Sequence, residues 1–224
     1  YEDIMKRIIM NSGILLIIII VLVFFLNKNN YNFFKIGNNK SNKEISDIED
    51  YILNIDSYEA QVEVNVISNK NSNKYLINQK YKSPNIFTQK VIEPSNIKDV
   101  TIEYDGNNLK IINTELNLNK IYENYPYISN NILNLESFIE DYKSSNESKY
   151  EVKDEDIILE TKIKNGNKYI YYKKLYVKKN GEIIKMEVQD VTKNTLVYIL
   201  YNEIKINNLQ KEDVLAYNIQ RKNK

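Results

Sequence analysis

The sequence predicts an α+β fold in which one antiparallel sheet of about nine to eleven strands is covered by two or three helices. Three observations lead to this prediction. Several segments alternate apolar and polar residues, as strands with one buried face do. Two other segments space their apolar residues at helical intervals. Dipeptides that contain glycine separate the alternating segments and are typical of hairpin turns.

Two helices are predicted, at residues 42–56 and 128–144. Ser41 and Glu44 have the spacing of a capping box at the start of the first helix. In each segment the apolar residues occupy one side, so each helix needs a surface to cover. The apolar stripes are Ile45, Ile48, Ile52 and Ile55 in the first helix, and Ile132, Leu135, Phe138, Ile139 and Tyr142 in the second.

The strand pattern begins directly after the first helix. Apolar and polar residues alternate over residues 58–66 and 75–81, and a last strand is predicted over 195–206, with Leu196, Tyr198 and Leu200 on one face. Pro84 and Pro94 bracket another strand at 86–92, because proline cannot donate within a central ladder. The turn dipeptides are Asp105-Gly106, Asn165-Gly166 and Asn180-Gly181.

The composition excludes several kinds of site chemistry. The chain has 224 residues, with 31 Lys and Arg against 30 Asp and Glu, and it contains no His, Cys or Trp. It therefore has no thiol nucleophile, no imidazole base, no usual zinc site and no disulfide. The balanced charge, with only Arg7 and Arg221 as arginines, argues against nucleic-acid binding. No cofactor is predicted.

A long apolar segment near the start predicts a transmembrane helix. The apolar run covers residues 14–26 and continues back to Ile8, behind Lys6 and Arg7. A helix over 8–26 is about 28 Å long, close to the roughly 30 Å hydrocarbon core. No small-residue cleavage site follows, so an uncleaved signal anchor is favoured over a cleavable signal peptide or a buried core helix. The predicted anchor consists of Ile14, Leu15, Leu16, Ile17, Ile18, Ile19, Ile20, Val21, Leu22, Val23, Phe24, Phe25 and Leu26.

The anchor divides the chain into three parts. Residues 1–27 form a cytoplasmic flank and the anchor, 28–43 a polar juxtamembrane linker, and 44–224 one extracytoplasmic domain. Basic residues flank the anchor on both sides, so the positive-inside rule does not decide its orientation. A short flank before the anchor and a long chain after it favour a domain outside the cytoplasm.

Carboxylates and serines give weak catalytic signals. A glycosidase needs two carboxyl groups about 5 to 9 Å apart, one of them in an apolar pocket, whereas charged runs beside turns are usually solvated. Lys143 precedes Ser144 and Ser145, but a Ser/Lys hydrolase needs such a pair buried and oriented. The sequence therefore predicts a protein that is not an enzyme. The acidic clusters are Glu44, Asp47 and Asp50, and Asp154, Glu155, Asp156 and Glu160.

The 19 tyrosines are the most distinctive side chains of the sequence. Strand propensity explains most of them. Tyrosine also suits interfaces, because its large ring carries a polar tip, so an aromatic contact surface for another protein or a glycan is the alternative. Candidate contact residues are Tyr169, Tyr171, Tyr172 and Tyr176, and a second group, Tyr122, Tyr125 and Tyr127, flanks Pro126.

The order of these elements resembles the LolA-like fold family. The resemblance covers about residues 45–219 and includes the stretch 81–94. It is closest to lipoprotein-sorting proteins and to the clostridial germination proteins called GerS. The segments that carry it are Ile55-Asp56-Ser57-Tyr58-Glu59-Ala60, Ile102-Glu103-Tyr104-Asp105-Gly106-Asn107, Asn180-Gly181, Lys185-Met186-Glu187-Val188, Asp190 and Tyr201-Asn202-Glu203-Ile204-Lys205-Ile206-Asn207.

This resemblance implies a curved antiparallel half-barrel closed by helices, without catalysis of its own. LolA carriers hold lipoprotein acyl chains on the concave face. GerS-type proteins act with a spore-cortex amidase, which modifies peptidoglycan for germination. The chain departs from both types. GerS proteins are lipoproteins, whereas this chain has no cysteine, and a tethered protein cannot shuttle between membranes as LolA does.

The first hypothesis is a membrane-anchored, extracytoplasmic, GerS-like binding protein that supports a cell-wall amidase, with the forespore or spore envelope as its setting. The alternative is a LolA-like carrier of lipid or lipoprotein, which needs a continuous apolar cavity. A glycan hydrolase that uses Asp154 or Glu160 ranks third. The expected partners are the membrane and the amidase; a homodimer stays open.

Overall fold

The computed structural model describes residues 41–67, 72–125 and 131–215, with side chains from residue 45 onward. The predicted anchor and most of the predicted linker lie outside these residues. Within them the helices are α1 (Ser41–Leu53), α2 (Leu135–Ser144) and α3 (Lys211–Leu215), with one 3-10 turn at Ser95–Ile97. The strands are β1 (Ser57–Ile67), β2 (Ser72–Lys82), β3 (Ile86–Glu93), β4 (Thr101–Tyr104), β5 (Leu109–Asn113), β6 (Leu118–Tyr122), β7 (Lys149–Lys153), β8 (Asp156–Lys162), β9 (Tyr172–Lys178), β10 (Ile183–Gln189) and β11 (Thr195–Ile206).

The strands form one open antiparallel sheet in the order β6-β5-β4-β3-β2-β1-β11-β10-β9-β8-β7. Strands that are adjacent in the sheet are adjacent in sequence, except for β1 and β11, which join the two halves. β6 and β7 lie at opposite edges, so the segment between them, which carries α2, must cross the sheet. For the described residues, the predicted α+β class with nine to eleven strands and two or three helices is confirmed.

One face of the sheet, here called the inner face, packs against α1 and α2. On β1 the inner face carries Tyr58, Ala60, Val62 and Val64, which are all buried, while the residues between them are partly exposed. Pairing with β2 and β11 places further apolar side chains beside them. Phe138 of α2 belongs to the same core cluster. The main core therefore lies between the inner face and the two longer helices.

The opposite, outer face carries α3 at one end. Thr88 on β3 points outward, because its neighbour Phe87 is part of the main core. The Thr88 hydroxyl donates a 2.8 Å hydrogen bond to the backbone carbonyl of Val214. Ile86, Leu209 and Val214 form a small second cluster there. Among the described residues, no helix covers the outer face of β8 to β11.

Helix α2 begins at Leu135, later than the predicted start at 128. Asn134 is extended, with φ −93° and ψ 138°. The Asn131 side-chain carbonyl accepts a 3.2 Å hydrogen bond from the Leu133 amide, which is a local turn that competes with helix. Gln79 of β2 donates to the Leu133 carbonyl at 3.1 Å. Side-chain bonds thus hold residues 131–134 in a turn before the helix.

Candidate interaction surface

The four tyrosines selected from the sequence lie close to one another around β9. Tyr172 and Tyr176 belong to β9. They point to the outer face, because every second residue of the strand, beginning with Lys173, is buried on the inner face. Tyr171 directly precedes the strand, and its ring meets the Tyr172 ring edge-on at a centroid distance of 4.7 Å. Tyr169 is 61% exposed, whereas the other three are half-buried. That these four tyrosines contact a partner stays a prediction.

Each of these rings has a lysine ammonium near its centre. Positions within about 6 Å of a ring centroid allow a cation–π attraction. The distances from Nζ to the ring centroid are 4.0 Å for Lys185 and Tyr176, 4.2 Å for Lys193 and Tyr172, 4.8 Å for Lys162 and Tyr171, and 4.8 Å for Lys168 and Tyr169. We call these four tyrosines and four lysines the Tyr–Lys surface.

Two carboxylates lie deeper than the lysines with which they pair. The Glu160 side chain on β8 is 11% exposed and forms ion pairs with Lys174 and Lys193. The Glu187 side chain on β10 is 8% exposed and accepts from Lys185 at 2.6 Å. The lysine side chains are 20% to 43% exposed. At Glu160 and Glu187 the more exposed member of each pair is therefore the lysine, whereas Lys162 pairs with Glu147, whose side chain is 54% exposed.

Two side chains of the surface, Tyr176 and Lys162, have raised pKa values and so keep their protons at neutral pH. Burial, together with the nearby Glu187, raises the pKa of Tyr176 to about 12. Hydrogen bonds with Tyr171 and Glu147 raise the pKa of Lys162 above its ordinary value. Phenol hydroxyls and ammonium groups are both hydrogen-bond donors. The surface thus presents donors to whatever approaches it.

A partly apolar row crosses the middle of the surface. Strand register places Ile158 beside Tyr176, Tyr176 beside Lys185, and Lys185 beside Leu200. The ring of Tyr198 on β11 lies in the next row, with its centroid 5.8 Å from the Lys185 ammonium. The row thus combines apolar, aromatic and charged side chains, and aromatic residues are enriched at protein interfaces.

The inner face contains a buried lysine that the sequence did not indicate. Lys173 of β9 is 0% exposed, and its ammonium donates to Ser137 Oγ at 2.6 Å and to Asp141 Oδ2 at 2.8 Å. The other oxygen of Asp141 accepts from the Lys164 amide at 2.9 Å. Ser137 and Asp141 belong to α2, so this cluster ties the helix to the sheet. A serine and a lysine do meet here, but in the core.

The residues of the catalytic hypotheses have other environments. Burial acts to raise the pKa of Glu160, but hydrogen bonds from Lys193 and Lys174 lower it overall, whereas a glycosidase acid needs a raised pKa. Asp154 is exposed in the β7–β8 turn. Ser144 Oγ donates to a backbone carbonyl of α2.

A groove lies apart from the Tyr–Lys surface. It has a volume of ≈ 560 Å³ and lies between the β2–β3 turn, the β4–β5 turn and α3. Among its charged lining residues, Lys82 already pairs with Asp56 at 2.7 Å. In residues 41–67, 72–125 and 131–215, no acidic group of three or more could hold a metal ion, and no helix is long and apolar enough to cross a membrane.

Comparison with known proteins gives distant structural likenesses. No protein family model matches the sequence, and no curated protein matches it. An uncharacterized conserved protein from Thermus thermophilus has 12% identity and a TM-score of 0.49, covering 80% of this chain and 94% of that one. The structure of the CwlD amidase from Clostridioides difficile in complex with the GerS lipoprotein matches with 24% identity and a TM-score of 0.41, over 79% of this chain and 99% of the matched chain.

A third solved structure is a LolA superfamily protein from Nitrosomonas europaea. It has 13% identity and a TM-score of 0.42, and the match covers 75% of this chain and 96% of that one. The resemblance to LolA-like and GerS proteins that the order of sequence elements predicted is thus found again among solved structures.

Proposed function

We propose that this protein is a non-enzymatic, membrane-anchored, extracytoplasmic binding protein that holds a protein partner on the Tyr–Lys surface. One observation carries the proposal. Four tyrosines with a lysine at each ring lie on and beside a sheet face that no described helix covers. Interfaces are enriched in aromatic residues that bring large contact area at low entropic cost.

The GerS-like character of the sequence suggests the class of partner. In the solved complex from Clostridioides difficile, the GerS lipoprotein is bound to the CwlD amidase. We propose a cell-wall amidase as the partner here also, and a role in peptidoglycan modification and germination. The predicted anchor at residues 14–26 would keep the complex at the membrane.

The alternative function, a lipid or lipoprotein carrier, requires an apolar cavity inside the fold. Side chains of α1 and α2 fill the space over β1 and β8 to β11. Ile52, Leu135 and Phe138 of the helices and Leu159 and Leu175 of the strands are all 0% exposed. A filled inner side favours a binding protein over a carrier of acyl chains.

Capture of the partner tests the proposal. The tagged full-length chain would be solubilised from sporulating cells in mild detergent and its bound proteins identified. We expect a cell-wall amidase, and we expect the substitutions Tyr176→Ala and Lys185→Ala together to reduce its recovery at least about tenfold, because both side chains lie at the centre of the surface.

Tyr51→Ala provides the matched control, because Tyr51 is a tyrosine of α1 that is 45% exposed on the other side of the sheet. All variants would be compared for thermal unfolding before capture. Equal recovery of the amidase by both variants would show that the partner binds elsewhere on the protein. Recovery of lipoproteins without any wall enzyme would favour the carrier instead.

A further inference from the structure

We infer that the Tyr–Lys surface binds an acidic polypeptide segment, whose Asp and Glu side chains meet its lysines. The inference rests on the proposed protein-binding function of the same surface and adds the chemistry of the partner. It follows from which charges are exposed, from what occupies the tyrosine rings, and from how the lysines are held.

The lysines of the surface outnumber its carboxylates. The Glu160 carboxylate is shared by Lys149, Lys174 and Lys193. The side chains of Lys162 and Lys193 are 36% and 43% exposed, and Lys162 pairs at 2.9 Å with Glu147, whose side chain is 54% exposed. The carboxylates of Glu160 and Glu187 are 11% and 8% exposed and already accept hydrogen bonds from lysines. A partner must therefore bring its own acceptors. Carboxylates are the strongest acceptors that a polypeptide can offer to an ammonium group.

The tyrosine rings are poorly placed to bind a glycan. A sugar stacks on an open aromatic face, but an ammonium group lies 4.0 Å from the ring centre of Tyr176 and 4.2 Å from that of Tyr172. These contacts occupy one side of each ring with a cation. The hydroxyls and ring edges remain, and they suit hydrogen bonds to polar side chains better than stacking.

The fixed positions of the lysines favour a protein over a lipid surface. Lys185 is held by Glu187 at 2.6 Å and Lys174 by Glu160 at 3.0 Å. Preorganised charges add affinity when the partner's charges have matching fixed positions, whereas lipid headgroups move freely.

The test uses the full-length chain in neutral detergent and a fluorescein-labelled poly-glutamate peptide, followed by fluorescence anisotropy. We expect binding that weakens at least about tenfold as salt rises from low to high concentration, because salt screens such contacts. The double substitution Lys162→Glu with Lys168→Glu should weaken binding at least about tenfold. Lys120→Glu, an exposed lysine on the edge strand β6, is the control and should leave binding within about twofold.

A second variant guards against misfolding. Lys185→Met with Glu187→Gln removes both members of an ion pair, so neither partner is left as an unpaired charge, and it should also weaken binding. Equal binding of poly-lysine, or binding of phosphatidylglycerol vesicles without binding of poly-glutamate, would overturn the inference.

Two results separate this inference from the proposed function. Capture of the amidase that neither salt nor the lysine variants change would reject the acidic segment but keep the protein partner. Lysine-dependent binding of poly-glutamate without capture of an amidase would keep the acidic segment but reject the amidase.

Discussion

Replacing Lys173 with methionine is expected to destabilise the fold strongly. The Lys173 ammonium and the Asp141 carboxylate are 0% and 6% exposed and lie 2.8 Å apart. Removing one member of such a pair leaves the other charge buried without compensation, which costs about 3–5 kcal/mol. For a domain of this size each kcal/mol lowers the melting temperature by about 2–4 °C. We therefore expect a fall of about 6–20 °C.

Far-UV circular dichroism of the full-length chain in mild detergent measures both changes: urea unfolding gives the loss of free energy, and thermal unfolding gives the fall in melting temperature. Lys178→Met is the matched control, because Lys178 is on the same strand but its ion pair with Glu182 is about half exposed. Exposed pairs contribute about 0–1 kcal/mol. Equal losses for Lys173→Met and Lys178→Met would refute the structural role of the buried pair.

A double substitution separates charge from packing. Asp141→Asn removes the charge but keeps an oxygen that can accept from the Lys164 amide. Combined with Lys173→Met it leaves no buried charge, so the double variant should be more stable than Lys173→Met alone by about 1–2 kcal/mol. If the two losses simply add, the ion pair is not the cause of the effect.

Five further substitutions probe other parts of the fold by urea unfolding. Burial, with a nearby glutamate, raises the folded-state pKa of Glu136 well above 4.5. The contribution of Glu136 to stability is therefore lost as pH rises from about 4.5 through the folded pKa. Glu136→Gln should gain stability over the wild type with rising pH, and parallel plots of unfolding free energy against pH for the two proteins would contradict this. Among the described residues the buried Tyr201 hydroxyl has no hydrogen-bond partner, whereas the Tyr142 hydroxyl donates to a buried glutamate at 2.9 Å. Tyr201→Phe should therefore change the free energy of unfolding by less than about 0.5 kcal/mol, and Tyr142→Phe should lower it by about 1–3 kcal/mol. A larger loss for Tyr201→Phe than for Tyr142→Phe would contradict this prediction. Gly106 and Gly181 have φ of +98° and +86°, so alanine at either costs about 1–2 kcal/mol. Gly181→Ala should lose slightly more, because its Cβ would lie 3.2 Å from a tyrosine ring on α1, and an equal loss would show that the ring moves aside.

Local sterics explain which strands could be predicted from the sequence. Strand β3 occupies Ile86–Glu93 between two prolines, as expected, and β11 occupies the predicted residues 195–206. Gly106 and Gly181 adopt the positive φ that hairpin turns need. These features depend on residues that are close in sequence, so they can be predicted from the sequence alone.

Pairing between distant strands decided what the sequence left open. Strand β11 has apolar residues on both faces. Leu196, Tyr198 and Leu200 share one face, as predicted. The face that is buried, however, carries Val197, Ile199 and Tyr201, because they align with the core positions of β1. Alternation alone cannot choose between two apolar faces.

Three of the four lysines of the Tyr–Lys surface were missed for the same reason. Lys162 ends β8, Lys185 lies on β10 and Lys193 in the turn that follows β10, so only the register of the sheet brings them to tyrosines near β9. The sequence displayed the tyrosines as a cluster, since they are close along the chain. No local sequence pattern indicated Lys162, Lys185 or Lys193.

Two neighbouring lysines show why binding and stability can be tested separately in this fold. Lys173 and Lys174 are adjacent in β9, yet the first is buried against α2 and the second lies on the outer face with 20% of its side chain exposed. A strand sends successive side chains to opposite faces, so the core sets the chemistry of one face only. Variants of the outer face that lose the partner should therefore keep their melting temperature, whereas variants of Lys173 should lose both together.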